Sequence, residues 1–283
     1  MPGIILTADS TCDLTKELRE RYKVKYTPLH IVLGERSYED GVNIKPEEIY
    51  RNFEATGTLP KTAAVNVDEY ISFFTPYINE GFSIIHINLG SSLSSTYQNA
   101  CIAAKKLGKV YPVDSCNLST GSGHLVIEAA KMIDRGMEAK EISDTLKSMT
   151  SKVHSSFIID KLNYLRAGGR CSALAVLGAN LLKLKPCIEV NNSDGSMDVG
   201  KKYRGNLDRV LVQYVDEKLA QYDNIRKDKI FITHAGIGDD HVKVVYDHLS
   251  SKGIFDNIYI TRASCTISSH CGPGTLGILF MTE

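Results

Sequence analysis

Apolar runs that resemble strands alternate with helix-like amphipathic segments through the first half of the chain. Four such runs are IILTAD, YTPLHIVL, FSIIHINL and KVYPVD, and helical patterns separate them. Strands that alternate with helices are joined by crossover connections, which give a largely parallel sheet covered by helices on both faces. The first half is therefore expected to be an α/β fold.

Start and stop residues predict several helix boundaries. Proline followed by two acids predicts a helix that opens at Lys45-Pro46-Glu47-Glu48, because these residues suit the first helical turn. A second helix should span Thr96 to Leu107 and stop at Gly108, and a third should run from about Gly123 to Arg135. A fourth is expected between Glu138 and Met149.

The pattern changes near residue 150. A strand SFIID, a Gly-Gly turn and a hydrophobic helix from Ala173 to Leu184 come first. Asn192-Ser193-Asp194-Gly195 then predicts the turn of an antiparallel hairpin. Helices at about Asn206 to Ala220 and Asp239 to Ser251 flank a strand, KIFITHA, and the strands NIYITR and LGILFM follow. This half is expected to hold a mixed sheet.

The length of 283 residues fits two domains of ordinary size, each with its own core. We place the boundary between residues 152 and 153. Residues 1–152 are predicted to form an N-terminal α/β domain with a mostly parallel sheet and helices on both faces. Residues 153–283 are predicted to form a C-terminal α/β domain with a mixed sheet and flanking helices.

Charge and hydropathy argue against several classes of partner. Lys+Arg and Asp+Glu number 33 each, so no net field draws the chain to nucleic acid or to an anionic membrane. No apolar run approaches the roughly 20 residues of a membrane helix, and the first residues lack a basic leader segment. We expect a cytoplasmic protein with no transmembrane segment and no nucleic-acid partner.

Cysteine spacing and glycine spacing do not predict a metal or a nucleotide site. The seven cysteines are scattered without a Cys-x-x-Cys pair, which is typical of reduced, mostly buried thiols rather than zinc ligands. The run from Gly195 to Lys202 resembles a Walker A loop, but Lys202 stands where that loop needs Ser or Thr, and the run follows a hairpin turn. We expect no metal, no cofactor and no ATP site.

Two polar clusters follow predicted strands. Asp9-Ser10-Thr11-Cys12-Asp13-Leu14 either faces a ligand at the end of its strand or caps a helix that begins at Leu14. Gly90-Ser91-Ser92-Leu93-Ser94-Ser95-Thr96-Tyr97 carries more hydroxyl groups than capping requires. Free backbone N–H groups and a positive helix end would add to those hydroxyls, so this second cluster favours anion binding.

Two further clusters lie in the second half. Asn163 to Arg170 combines paired glycines with a guanidinium, and Arg170 is either a site residue or a solvated surface arginine. Ser268 to Thr275 reads as a loop stiffened by Pro273, in which His270 is either structural or functional.

Together these segments resemble the DegV family, the fatty-acid-binding subunits of bacterial fatty acid kinase. The resemblance rests on order and spacing along nearly the whole chain. It includes Asp9-Ser10-Thr11, Pro60-Lys61-Thr62, Leu93-Ser94-x-Thr96-Tyr97-Gln98, Gly168-Gly169-Arg170 and His270-x-Gly272-Pro273-Gly274. Departures from the family pattern, Gly90, Ser95 and Cys12, concern mainly the serine loop.

The resemblance implies two α/β domains that bury one long-chain fatty acid and need no metal or cofactor. By motif, Thr62 and Ser94 bind the carboxylate, Ser92 is the substitute serine, and Arg170 and His270 form the entrance or second layer of the site. It also implies a partner, an ATP-dependent kinase subunit that converts the bound carboxylate to an acyl phosphate. Lys202 and Arg204, on the predicted return strand of the hairpin, either dock that kinase or are solvated charges that keep an edge strand soluble.

A serine hydrolase or acyltransferase is the alternative function. In that interpretation Ser92 or Ser94 is the nucleophile, His270 the base and Asp9 or Asp114 the residue that orients the base. The Gly-x-Ser-x-Gly elbow of α/β hydrolases is missing from the chain. Binding is therefore the favoured function.

Overall fold

The structure is a computed structural model that describes residues 3–171 and 184–283. Its strands are β1 Ile4–Asp9, β2 Lys25–Thr27, β3 His30–Leu33, β4 Arg36–Glu39, β5 Lys61–Ala63, β6 Ser83–Asn88, β7 Val110–Asp114, β8 Val153–Ile158, β9 Lys185–Val190, β10 Met197–Tyr203, β11 Ile230–His234, β12 Ile258–Arg262 and β13 Leu276–Met281. Its helices are α1 Lys16–Arg21, α2 Pro46–Thr56, α3 Val67–Asn79, α4 Thr96–Leu107, α5 Thr120–Asp134, α6 Ala139–Met149, α7 Leu162–Gly168, α8 Leu207–Leu219, α9 Asp239–Lys252 and α10 Cys265–Cys271.

The first half of the chain forms the expected parallel sheet. Its four strands lie in the order β2-β1-β6-β7 and all neighbours pair in parallel. The central strands β1 and β6 are mostly buried, as strands covered on both faces should be. The α/β class is confirmed for this half.

A small antiparallel sheet in the first half was not predicted. The run YTPLHIVL, expected to be one strand, divides at Pro28 into β2 of the parallel sheet and β3 of a three-stranded sheet in the order β4-β3-β5. Proline lacks the N–H that a continuing ladder would need, so the chain changes direction there. Strand β5 carries Thr62, which pairs with Ile31.

The second half forms the expected mixed sheet. Six strands lie in the order β10-β9-β8-β13-β11-β12, in which β11 and β12 are parallel and the other neighbours are antiparallel. The hairpin β9–β10 turns at residues 191–196, where Gly195 has a φ of 78°, as the turn signal predicted. The predicted helix from Ala173 to Leu184 lies, apart from its last residue, outside the described residues.

Most helix boundaries agree with the sequence. Helix α4 spans the predicted residues, and α2 begins at Pro46 with Glu48 bonded back to the N–H of Lys45. Helix α5 begins three residues before the predicted start, at Thr120. The helix expected at Leu14 begins instead at Lys16. Thr15 is its N-cap, because the Thr15 side chain accepts a hydrogen bond from the N–H of Leu18.

Helix α5 packs between the parallel sheet and the mixed sheet, where it contacts β1 and β6 on one side and β8 and β13 on the other. Its glycines permit this close approach. A Cβ on Gly121 would lie 2.5 Å from the Oγ of Ser155, and one on Gly123 would lie 2.9 Å from the carbonyl oxygen of Cys12. The strands of the mixed sheet all follow residue 152. The division into two domains at that point stays a prediction, because buried apolar clusters join both halves.

None of the helices within residues 3–171 and 184–283 combines the length and apolar character that crossing a membrane requires.

Candidate functional site

A cavity of about 270 Å³ lies between the two halves of the chain. Its wall is formed by residues from β5 and the residue after it, from α7 and the segment after it, from β10, from α10, and from the connections β2–β3, β6–α4 and β7–α5. They are Leu29, Thr62, Ala63, Ala64, Leu89, Leu93, Ser94, Ser95, Leu118, Leu165, Arg170, Met197, Thr266, Ile267, His270 and Cys271. An apolar wall with a few hydroxyl, imidazole and guanidinium groups is typical of a site for a small amphipathic ligand.

Thr62 and His270 meet at this wall although 208 residues separate them. The hydroxyl of Thr62 lies 2.9 Å from Nε2 of His270. Gly168 makes room for the ring, because a Cβ there would lie 2.2 Å from Nδ1. Burial, reinforced by nearby Arg170, lowers the pKa of His270 to about 4. The imidazole is therefore neutral near pH 7.

His270 lies on a helix and not in the loop that the sequence predicted. Helix α10 ends at Cys271, and the glycine-proline turn follows it. Two buried carboxylates secure the start of this helix: Asp13 accepts a hydrogen bond from the N–H of Ser264, and Asp40 accepts from the N–H groups of Cys265 and Thr266. The ring of His270 is thus carried by an anchored element.

The serine loop before α4 brings Ser94, but not Ser92, to the cavity. The Oγ of Ser94 accepts only a long bond of 3.4 Å from the N–H of Thr96, so it remains available to a ligand. Ser92 is exposed, and its Oγ would lie 3.0 Å from a Cβ on Gly195 in the β9–β10 turn. Ser94 is thus among the residues that line the cavity, and Ser92 is not.

Arg170 lies at the rim of the cavity. Its Nη1 donates to the carbonyl of Gly168 at 2.7 Å, and its Nε points toward the carbonyl of Leu93 at 3.5 Å. These two contacts join the end of α7 to the serine loop, and the side chain of Arg170 is exposed to solvent. It places a positive charge beside the polar end of the cavity.

A smaller compartment of about 30 Å³ continues behind the main cavity. The two share Leu118, Ile267 and Cys271. The hydroxyls of Ser119, Ser156, Thr233 and Thr275 on its wall are all used in internal hydrogen bonds. Their hydrocarbon parts face the compartment, which is therefore suited to an apolar group.

The strand-end cluster at Asp9 does not line the cavity. The Asp9 carboxylate accepts bonds from the hydroxyl of Tyr70 at 2.6 Å and the N–H of Leu89 at 2.9 Å, and Nε2 of His86 lies 3.1 Å away. Asp13 bonds Ser119 and Ser264, and neither residue caps the following helix. The cluster is a buried structural network.

The serine hydrolase arrangement is not assembled in the described residues. Asp9 is engaged as above, and Asp114 accepts from the N–H groups of Ser91 and Cys116. The partner of Nε2 in His270 is Thr62, and Nδ1 has no hydrogen-bond partner in residues 3–171 and 184–283. An orienting carboxylate and a serine bonded to the imidazole are both lacking from this part of the chain.

Lys202 and Arg204 lie away from the cavity wall, on and just after β10, which is an edge strand of the mixed sheet. Both side chains are exposed. Their neighbour Lys201 differs, because its Nζ lies 2.6 Å from Glu217. The structure thus offers two solvated cations in this strand region.

Thr266 is a cavity residue that the sequence did not single out. It lines the cavity on α10, four residues before His270, and is 3 % exposed. Side chains four apart share a helix face. That spacing would have revealed Thr266 if the segment had been predicted to be helical.

Comparisons with known proteins agree on one family. A model of the DegV family of uncharacterised proteins matches residues 4–283. A DegV domain-containing protein of Clostridium perfringens is 30% identical over 288 residues, covering 100% of both chains. A fatty-acid-binding DegV family protein from Thermus thermophilus has a TM-score of 0.90 at 23% identity, covering 99% of this chain and 100% of its own. DegV of Bacillus subtilis, described as a fatty acid binding protein, has a TM-score of 0.85 at 25% identity, with full coverage of both.

Proposed function

The chain belongs to the DegV family, and on that premise we propose that it binds one long-chain fatty acid in this cavity and presents the carboxylate to a partner kinase in the cytoplasm. One observation carries the proposal: Thr62, Ser94 and His270 line a largely apolar cavity together. Such a wall suits a ligand with one polar end and a hydrocarbon tail.

The carboxylate is held by the hydroxyls of Thr62 and Ser94. A neutral His270 with its proton on Nε2 donates to the oxygen of Thr62, which frees the threonine O–H to donate to the ligand. Ser94 supplies the second donor. Arg170 at the rim adds a nearby positive charge, which favours the ionised ligand.

The hydrocarbon tail extends past Leu118 and Ile267 toward the inner compartment. Each methylene that is buried stabilises the complex by about 0.8 kcal/mol, so the tail supplies most of the affinity. No metal or cofactor is needed for this binding.

The test of binding uses Thr62→Val, which keeps the shape of the side chain and removes its hydroxyl. Palmitate binding to the delipidated protein should weaken by about tenfold or more, the scale of a lost hydrogen bond to a charged group. Thr56→Val, on the exposed side of α2, is the matched control and should bind normally. Wild-type protein that captures no fatty acid, in native mass spectrometry or in titration, would refute the proposal.

Presentation to a kinase makes a separate prediction for the exposed cations. Replacing Lys202 and Arg204 together by glutamate should abolish acyl-phosphate formation with a fatty acid kinase and leave palmitate binding intact. Replacing Lys140 and Lys147 on α6 by glutamate gives a control with the same change of charge. Unchanged turnover in the first variant would show that this edge does not dock the kinase.

Arg170 is proposed to serve the transfer step more than the holding of the ligand, whereas the neutral His270 acts on the carboxylate through Thr62. Developing phosphoryl charge needs cationic help beyond what two hydroxyls supply. Arg170→Ala should therefore lower kinase-coupled phosphorylation by about tenfold or more and change palmitate affinity little. Loss of the lipid on purification of a folded Arg170→Ala protein would make Arg170 a primary carboxylate ligand.

A further inference from the structure

Thr266 lines the cavity, and its buried hydroxyl has no partner among the described residues. Its Oγ1 makes no hydrogen bond within residues 3–171 and 184–283, although the residue is 3 % exposed. Buried hydroxyls in proteins are nearly always satisfied, since leaving one unpaired is costly. An unpaired hydroxyl on a ligand-sized cavity points to a partner on the ligand.

Hydroxyls close to Thr266 in the sequence do find partners, and the hydroxyls of Thr11, Thr27 and Thr96, which are also unpaired within the described residues, do not line the cavity. On the same helix, Ser268 donates to the carbonyl of Ala263 and Ser269 donates to the carbonyl of Cys265. In the following turn, Thr275 donates to the carbonyl of Cys271. These three residues satisfy their hydroxyls on nearby backbone, as Ser and Thr in helices commonly do. Thr266 does not.

The position of Thr266 is fixed by the backbone. Its N–H donates to Asp40 at 3.1 Å, and that of Cys265 donates to the same carboxylate at 2.7 Å. Thr266 and His270 are four residues apart, so their side chains lie on one face of α10 about 6 Å apart along its axis. The hydroxyl is therefore held one helical turn from the imidazole that contacts Thr62.

We propose that Thr266 binds a hydroxyl group carried by the acyl chain near its carboxyl end, so that the ligands of this protein include 2- or 3-hydroxy fatty acids. The proposal rests on the proposed function, because the carboxylate at Thr62 sets the depth of the chain. One helical turn from that anchor corresponds to the first few carbons of the tail. A hydroxyl there would exchange hydrogen bonds with Oγ1, whereas an unsubstituted chain leaves it unpaired.

The test measures the affinity of each protein for 3-hydroxypalmitate, 2-hydroxypalmitate and palmitate. Thr266→Val keeps the size of the side chain and removes the hydroxyl. The ratio of hydroxy-acid affinity to palmitate affinity should fall by about tenfold for the better of the two hydroxy acids. Because palmitate affinity is measured for the same variant, the ratio removes any general effect of the substitution on binding.

Thr96→Val is the matched control. Its Oγ1 is also buried without a partner in the described residues, but Thr96 does not line the cavity. In Thr96→Val, the ratio of hydroxy-acid affinity to palmitate affinity should equal the wild-type ratio. In Thr266→Val, the ratio of 12-hydroxystearate affinity to stearate affinity should also equal the wild-type ratio. If Thr266→Val binds palmitate normally and its affinities for 3-hydroxypalmitate and 2-hydroxypalmitate, relative to palmitate, are unchanged, this inference alone is overturned. Failure of wild type to bind any of the acids would overturn the proposed function as well.

Discussion

Two polar clusters follow neighbouring strands of the same parallel sheet, and they differ in their hydrogen bonding and in their access to the cavity. After β1, Asp9, Ser10 and Asp13 are buried and occupied by bonds within the protein. After β6, Ser94 has one long bond and lines the cavity. The strands β1 and β6 pair directly, so position at the sheet edge does not distinguish the clusters. What distinguishes them is access to the cavity: Ser94 lines it with hydrogen-bonding capacity left, whereas Thr11, whose buried hydroxyl is unpaired within the described residues, does not line it.

The largest effect that separates the two clusters is expected for Asp9→Ala. This change leaves the hydroxyl of Tyr70 and the N–H of Leu89 buried without their acceptor. The free energy of unfolding should fall by about 3 to 5 kcal/mol, as for other broken buried networks. Denaturant unfolding of the lipid-free protein measures it. A variant of normal stability with defective binding would instead make Asp9 a site residue.

The opposite result is expected for Ser94→Ala. Palmitate affinity should fall by about tenfold or more, and unfolding should change by less than about 1 kcal/mol, because the serine makes one weak internal bond. Titration and denaturant unfolding of the same preparation give both numbers. Ser92→Ala is the matched control and should bind normally. Weakened binding in Ser92→Ala alone would move the contact to that serine.

A dependence of stability on pH should reveal the buried state of Asp13. Burial, only partly offset by hydrogen bonds from Ser119 and Ser264, raises the pKa of this carboxyl to about 7. The folded state therefore keeps a proton that the unfolded chain releases near pH 4, so the free energy of unfolding should fall as pH rises from about 4 to about 7. The slope from this group is at most about 1.4 kcal/mol per pH unit.

Asp13→Asn removes that titration and keeps the size of the side chain. The difference between the two unfolding curves across pH 4 to 7 isolates Asp13, since the other groups are common to both proteins. Parallel curves would show that Asp13 ionises normally in the fold.

Much of the fold could be predicted because local signals and long-range packing agree. The stop signal at Gly108 predicted the end of α4, and the Asn-Ser-Asp-Gly turn predicted the β9–β10 hairpin. The small sheet was missed because β4 is a short polar strand, Arg36–Glu39, without apolar alternation. Its partners are fixed by tertiary contacts that no local pattern encodes.

The site was predictable to a lesser extent. The serine cluster from Ser91 to Thr96 stood out by its hydroxyl content, but Ser94 within it and Thr62 were named only through the family resemblance, because nothing in Pro60-Lys61-Thr62 signals a ligand. Its pairing with His270 spans most of the chain. Thr266 was missed because a glycine and proline nearby made its helix resemble a loop.

The place of β13 has a consequence for how the protein is made. This strand, residues 276–281, lies between β8 and β11 in the middle of the mixed sheet, and it also covers one side of α5. During synthesis the strands of the parallel sheet emerge first. The side of α5 that faces β13, and the edges of β8 and β11 that pair with β13, stay uncovered until residue 281 has been made. A nascent chain stalled before that point would expose an apolar helix face and two open strand edges, which are the features that recruit chaperones or lead to aggregation.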